Sequence, residues 1–211
     1  MLEVTNLECV RGDRCLFSEL DFSLGKGELL HLYGHNGSGK TTLLRTVCGL
    51  IAPTCGDISW RGSKIRTQRD VFASELVYIG HKNGIKDDLT GVENLRTACR
   101  LDGMSITDKQ AWQALERIGL HGHEDLPTRV LSQGQKRRVA LARLLVNSSP
   151  LWVLDEPFTA LDKAAVQLLQ DVIREHVSKG GMVMLTTHQE VEITSGQVKQ
   201  LKLGWKREGD V

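Results

Sequence analysis

Six residues, Glu28-Leu29-Leu30-His31-Leu32-Tyr33, form a mostly apolar run that stops at a glycine. The residues that follow, Gly34-His35-Asn36-Gly37-Ser38-Gly39-Lys40-Thr41-Thr42, fit the spacing G-x-x-x-x-G-K-[ST]. Leu43, Leu44, Val47 and Leu50 then recur at helical spacing. This order demands a buried strand that feeds a helix through a tight loop, and it restricts the fold more than any other feature. It also restricts the chemistry. Glycines let the backbone curl until consecutive N–H groups share one concavity, and the helix dipole adds partial positive charge there. Such a loop binds phosphate, with Lys40 reaching the terminal phosphates and the Thr41 hydroxyl holding a magnesium ion. A plain glycine-rich hairpin turn is the alternative reading, and the flanking strand and helix argue against it.

The rest of the chain reads as strands and helices around this loop. Residues 2–10 and 16–24 alternate loosely as strands, with Gly12-Asp13 as the turn between them. Pro53 and Gly56 close the helix after the loop, 57–61 returns as a strand, and 75–80 is a further buried strand. From 89 to 146 the pattern is helical; one helix opens at Val92, another covers 108–120, and Ser132 is placed to cap the next. Leu151-Trp152-Val153-Leu154 is a continuous apolar run that ends in Asp155-Glu156, as a central parallel strand delivers acids to its carboxyl edge. Residues 164–177 are helical, Gly180-Gly181 breaks the helix, 182–187 is another buried strand ending at His188, and 197–203 completes the pattern. The expected organisation is one domain over 1–211, with a core of about 1–82 and 147–211 and a helical subdomain of about 83–146.

Composition excludes some classes. A net charge of +1 with 40% hydrophobic residues argues against disorder and against a generally basic nucleic-acid binder. Lys136-Arg137-Arg138 reads as a solvated helix face. The apolar runs are too short and broken to span a bilayer, and Met1-Leu2-Glu3-Val4 does not open a signal peptide. Five cysteines without a C-x-x-C pair point to free, mostly buried thiols in a reducing compartment rather than to disulfides or zinc. Trp60, Trp112, Trp152 and Trp205 are expected to pack in the core or the helical part. The expectation is a cytosolic protein, soluble or peripheral to a membrane.

Asp155 fits the second acid of phosphate-loop NTPases, which holds magnesium directly or through water. Glu156 follows at the strand's end, where a carboxylate can accept a proton from an attacking water. The bland reading is that the two acids merely cap a strand before Pro157.

Taken in order, the 34–42 loop, Leu131-Ser132-Gln133-Gly134-Gln135, Leu154-Asp155-Glu156-Pro157, Ala160-Leu161-Asp162 and Thr187-His188 resemble the ATP-binding cassettes of ABC transporters across the whole chain. The resemblance implies an α/β fold: a phosphate-loop NTPase core with an N-terminal antiparallel β portion and an inserted helical subdomain. It implies ATP and Mg2+ as cofactors. Two copies would pack head to tail, each ATP lying between the loop of one and the signature, Ser132, Gly134 and Gln135, of the other. Lys40, Glu156 and His188 would be catalytic, with His188 as the switch histidine at the γ-phosphate. Thr41 and Asp155 would hold the metal, and Ala160-Leu161-Asp162 would lie across the dimer seam. Three positions depart from the family pattern. Gln133 stands where the signature usually has glycine. His81 stands where a glutamine usually contacts the metal-bound water. The aromatic residue that stacks on adenine in the family usually sits near the position of Arg11, and here the Arg11 guanidinium plane or Phe17 would make that contact.

The segments Tyr78-Ile79-Gly80-His81-Lys82-Asn83-Gly84-Ile85-Lys86 and 150–162 further resemble the haem-exporter ATPases of bacterial cytochrome c maturation. That resemblance implies a motor subunit on the cytoplasmic face of the inner membrane. It would work with integral membrane subunits of the maturation complex and drive haem delivery and release of the loaded chaperone. Nothing pairs the seven histidines, so no direct haem binding and no nucleic-acid binding are expected. A cassette for another exported substrate, such as a lipid or lipoprotein, and a soluble cassette acting on DNA or ribosomes are the other readings.

Overall fold

The central strands are continuous apolar runs because both of their faces are buried. In the computed structural model, which describes residues 1–188 and 197–204, two sheets and seven helices form three layers. The chain begins with β1 (Leu2–Arg11) and β2 (Arg14–Leu24), an antiparallel hairpin pairing Leu2 with Leu24 and Val10 with Cys15. β3 (Glu28–Tyr33) leads through the glycine loop into α1 (Lys40–Val47). β4 (Cys55–Trp60) and the short β5 (Ser63–Lys64) join the hairpin in a sheet of order β2-β1-β4-β5. A 3₁₀ turn at Ile65–Thr67 and α2 (Arg69–Ser74) precede β6 (Leu76–Ile79). Helices α3 (Gly91–Leu101), α4 (Asp108–Arg117), α5 (Gln133–Leu141) and α6 (Arg143–Val146) come next, with no strand between them. β7 (Leu151–Asp155), α7 (Lys163–Ser178), β8 (Met182–Thr186) and β9 (Gln197–Lys202) complete the described chain. The second sheet is all parallel, in the order β6-β7-β8-β3-β9.

Side chains alternate between the two faces of a strand, and here each face serves its own core. Trp152 and Leu154 of β7, with Val183 and Leu185 of β8, pack with Leu95 of α3 and with Leu169 and Ile173 of α7. Leu151 and Val153, with Met182 and Met184, pack on the other side with Leu43, Leu44 and Val47 of α1 and with Leu2, Leu7 and Leu24 of the hairpin. Each fully buried leucine contributes about 2 kcal/mol relative to exposure. A parallel sheet sandwiched in this way leaves only its strand ends open to ligands.

Three successive helices open with one sequence device. Thr90 with Glu93, Thr107 with Gln110 and Ser132 with Gln135 each form a reciprocal capping box at the starts of α3, α4 and α5. Each box satisfies two backbone N–H groups that a helix start would otherwise leave unpaired.

Several expectations need correction. Arg137 is 3% exposed rather than solvated, and Lys136 and Arg138 are tied to Asp87 and Asp162. Trp60 and Trp152 are buried, but Trp112 is 41% exposed on α4; Trp205 lies outside the described residues. All five thiols are free, yet only Cys9 and Cys99 are buried, while Cys15 and Cys55 are exposed. Helix α2 was illegible because six residues are too few for a period to register.

Candidate active site

The carboxyl ends of β3, β7 and β8 bring the charged and hydroxyl groups together. Gly39 takes a left-handed φ of 96° as the N-cap of α1, so the loop turns directly into the helix. Gly34 is irreplaceable for another reason: a Cβ there would lie 2.2 Å from the Leu203 carbonyl oxygen. The N–H groups of the first turn of α1 have no intrahelical acceptors and face the loop's concavity. Lys40 is 8% exposed, and its ammonium donates to the Gly34 carbonyl at 2.8 Å and the His35 carbonyl at 3.2 Å. Among the described residues that ammonium forms no ion pair with a carboxylate. Ser38 is 1% exposed, with a hydroxyl that meets no protein partner. An unpaired cation, free amides and a spare hydroxyl around one curl fit a phosphate chain. His35, Asn36 and Gly37 are exposed on the rim, and Thr42 is half-buried.

Asp155 is 1% exposed at the end of β7. The Thr41 hydroxyl donates to its Oδ2 at 2.9 Å, and the Thr186 hydroxyl donates to its Oδ1 at 2.9 Å. One carboxylate between two hydroxyls beside a phosphate loop is a set of hard oxygen donors, which suits Mg2+. The Thr186 oxygen also accepts the Glu156 amide at 2.9 Å, so one hydroxyl registers both acids.

Glu156 has a φ of 50°, a left-handed conformation that costs a non-glycine residue about 1 kcal/mol or more. Its Oε2 accepts the His188 amide at 3.2 Å, and its Oε1 lies 3.4 Å from His188 Nε2. The base and the histidine are therefore neighbours. Arg137 holds the same turn from beneath, donating to the carbonyls of Asp155, Glu156 and Pro157 and, across to the end of β6, to Gly80 and the Asn83 amide oxygen. Burial pulls its pKa below the usual arginine range, and the charges of Asp155 and Glu156 oppose that pull.

The remaining candidates lie elsewhere. Ser132 caps α5: its hydroxyl accepts the Gln135 amide at 3.2 Å, and Gln135 Oε1 accepts the Ser132 amide at 2.8 Å. Gly134 lies so close to the loop after β7 that a Cβ would meet the Ala160 oxygen at 2.6 Å. Asp162 caps α7 through the Ala165 amide and binds Arg138 of α5. Among the described residues, no hydrogen bond or ion pair joins Ser132, Gly134 or Gln135 to the phosphate loop. Arg11 is exposed at the tip of the first hairpin, whereas Phe17 is buried in the core beneath Gly39 and offers no open face for stacking. His81 is exposed on the wall of a cavity of about 250 Å3 that Arg45, Tyr78, Asn94 and Arg143 also line. Arg137 and Thr186 are the residues that sequence reasoning missed. The signal for Thr186 was its place two residues before His188 on a strand of otherwise apolar residues.

A family model described as "ABC transporter" matches residues 17–159. Among curated proteins, the chain is 55% identical over 204 residues to the cytochrome c biogenesis ATP-binding export protein CcmA of Dechloromonas aromatica, covering 97% of this chain and 100% of that one. It is 54% identical over 203 residues to the protein of the same name from Nitrosomonas europaea, covering 96% and 95%. Among solved structures, a putative ABC transporter ATP-binding protein from Pyrococcus furiosus superposes with a TM-score of 0.81 at 25% identity, covering 95% of this chain and 96% of that one. The ATP-binding cassette MJ0796, solved as a dimer bound to ADP and Pi, has the same fold, with a TM-score of 0.83 at 21% identity over 97% of each chain.

Proposed function

The chain belongs to the ABC transporter family, and from that premise we propose that it is the ATP-hydrolysing subunit of a cytochrome c biogenesis exporter. The observation that carries the reading is the cluster in which Thr41, Asp155, Thr186, Glu156 and His188 are linked by contacts of 2.9 to 3.4 Å at the mouth of the phosphate loop.

In this reading the loop amides and Lys40 bind the β- and γ-phosphates, Lys40 exchanging the Gly34 and His35 carbonyls for phosphate oxygens. Thr41 and Asp155 would hold Mg2+, which when bound would neutralise charge on the phosphates. Glu156 accepts the proton of the attacking water. His188 holds Glu156 through its amide and offers its ring to the γ-phosphate. Arg11 is the candidate for the adenine contact, and His81 would take the place of the glutamine that usually contacts a metal-bound water. Ser132, Gly134 and Gln135 serve the nucleotide of a second copy, packed head to tail, because they sit on the helical part of the chain and are not bonded to their own loop. The exposed Ser132 hydroxyl at a helix start suits the γ-phosphate across such a seam.

The relatives' names support a role in cytochrome c biogenesis and export. No helix among the described residues is long and apolar enough to cross a membrane, so integral membrane subunits would carry the cargo path. This chain would act on the cytoplasmic face of the inner membrane, with helical segment 83–146 as the subdomain that meets those subunits. Two variants test the reading. Lys40→Ala should lose ATP binding, whereas Glu156→Gln should bind ATP, lose roughly 10²–10⁴ in turnover and accumulate as a closed dimer. A Glu156→Gln protein that stays monomeric in saturating ATP and turns over normally would refute the assigned base. Co-purification of cytochrome c maturation membrane proteins from solubilised membranes tests the pathway; ribosomes in their place would overturn it.

A further inference from the structure

Arg137 is a buried cation whose hydrogen-bond partners are uncharged. Its guanidinium has five N–H donors, and five acceptors meet them: the carbonyls of Asp155 at 3.1 Å, Glu156 at 2.8 Å, Pro157 at 3.3 Å and Gly80 at 2.9 Å, and the Asn83 side-chain oxygen at 3.2 Å. Three of these belong to consecutive residues. In an extended strand successive carbonyls point to opposite sides, so three can converge on one group only where the strand breaks. The break is the left-handed turn at Glu156, with φ of 50°. Such a conformation persists in a non-glycine residue only when its surroundings hold it. Thr186 holds the amide of Glu156 and Arg137 holds its carbonyl, so the peptide units on both sides of the carboxylate are pinned. Arg137 itself sits on α5, one turn past the helix start capped by Ser132.

We infer that Arg137 is a positioning residue for hydrolysis: it fixes the turn that aims Glu156 and ties that turn to the helix carrying the signature and to the Gly80–Asn83 loop. Movement of α5 or of that loop then reaches the base through one rigid, fully bonded group. The inference rests on Glu156 being the base. Lysine cannot substitute fully, because an ammonium has three donors and no planar fork with which to reach five acceptors. In that reading ATP is bound by the 34–42 loop, Arg11 and the Asp155 side chain, whereas Arg137 touches only the Asp155 backbone carbonyl, so affinity and turnover should separate.

The test uses the purified full-length protein with Mg2+. ATP affinity is measured with a fluorescent nucleotide analogue and turnover by phosphate release, for wild type, Arg137→Lys, Arg137→Met, Glu156→Asp and Glu156→Asp/Arg137→Met. Arg137→Met should keep its affinity within about threefold while kcat falls roughly 10- to 100-fold, since about 1 Å of misplacement costs on that order. Arg137→Lys should fall between Met and wild type. In the Glu156→Asp background the added loss should shrink to a few-fold, because the aim that Arg137 provides is already spoiled; general damage would give the full loss again. A folded Arg137→Met with wild-type kcat, an affinity that falls in step with turnover, or full additivity would each overturn the inference. Should Arg137→Met not fold, Arg137→Lys decides alone, and wild-type kcat there refutes it. Undiminished turnover in Glu156→Gln would instead overturn the assignment of the base, whatever Arg137 does.

Discussion

His176 on α7 stacks on Trp152 of β7, with ring centroids 3.7 Å apart and planes 5° from parallel. Its Nε2 is buried without a partner, and Gly181 is packed so closely that a Cβ there would lie 2.2 Å from that atom. Burial pushes the His176 pKa down from 6.5 to about 4, against the pull of the Pro150 and Met182 backbone. The folded protein therefore keeps this ring neutral over a range in which the unfolded chain protonates it. The unfolded state binds more protons there, so stability is fully present above pH 6.5 and declines as pH falls toward 4. Each pH unit across that gap is worth about 1.4 kcal/mol, which sets a ceiling of about 3–4 kcal/mol. The ring is only half-buried, so water screens part of the effect and about 1–2 kcal/mol is expected. His176→Phe keeps an aromatic face against Trp152 and removes the titration. Urea unfolding of both proteins between pH 7.5 and 4.5 measures the difference, since every carboxylate that also titrates is common to both. The variant should gain on the wild type by about 1–2 kcal/mol across that range. Parallel pH profiles would refute the argument that burial keeps this histidine neutral.

Thr186→Val removes the hydroxyl bound to Asp155 Oδ1 and the Glu156 amide, both at 2.9 Å, and should cost about 1–3 kcal/mol in unfolding free energy. It should also raise the Mg2+ concentration for half-maximal ATPase activity by roughly tenfold, and an unchanged Mg2+ titration would count against Thr186 as the support of Asp155. Gly134→Ala forces a Cβ to within 2.6 Å of the Ala160 oxygen, so the start of α5 or the loop after β7 must shift. In the Glu156→Gln background, light scattering should show weaker ATP-driven dimerisation with unchanged nucleotide affinity; dimerisation at wild-type strength would mean that the close approach does not serve the seam.

What could be read in advance divides along a physical line. Contacts encoded by short-range spacing were legible. Short continuous apolar runs marked β3, β7 and β8, helical spacing marked α7, and the loop spacing marked 34–42, because those signals arise within one element. Arg137 was read wrongly for the opposite reason. Beside Lys136 and Arg138 it belongs to a basic run, and only the tertiary fold, which brings the ends of β6 and β7 beneath α5, turns that position inward. Thr186 escaped notice because its hydroxyl gains meaning only from Asp155, which lies 31 residues away in sequence and beside it in the sheet through the Asp155–Thr186 pairing. The two residues share one logic. A parallel sheet aligns strand ends that are distant in sequence, so the groups that aim a catalytic acid come from neighbouring strands and from the helix packed over them. On that logic the base Glu156 is specified less by its own strand than by Thr186 on one side of its peptide and Arg137 on the other. A substitution that left every motif intact could then still disable hydrolysis.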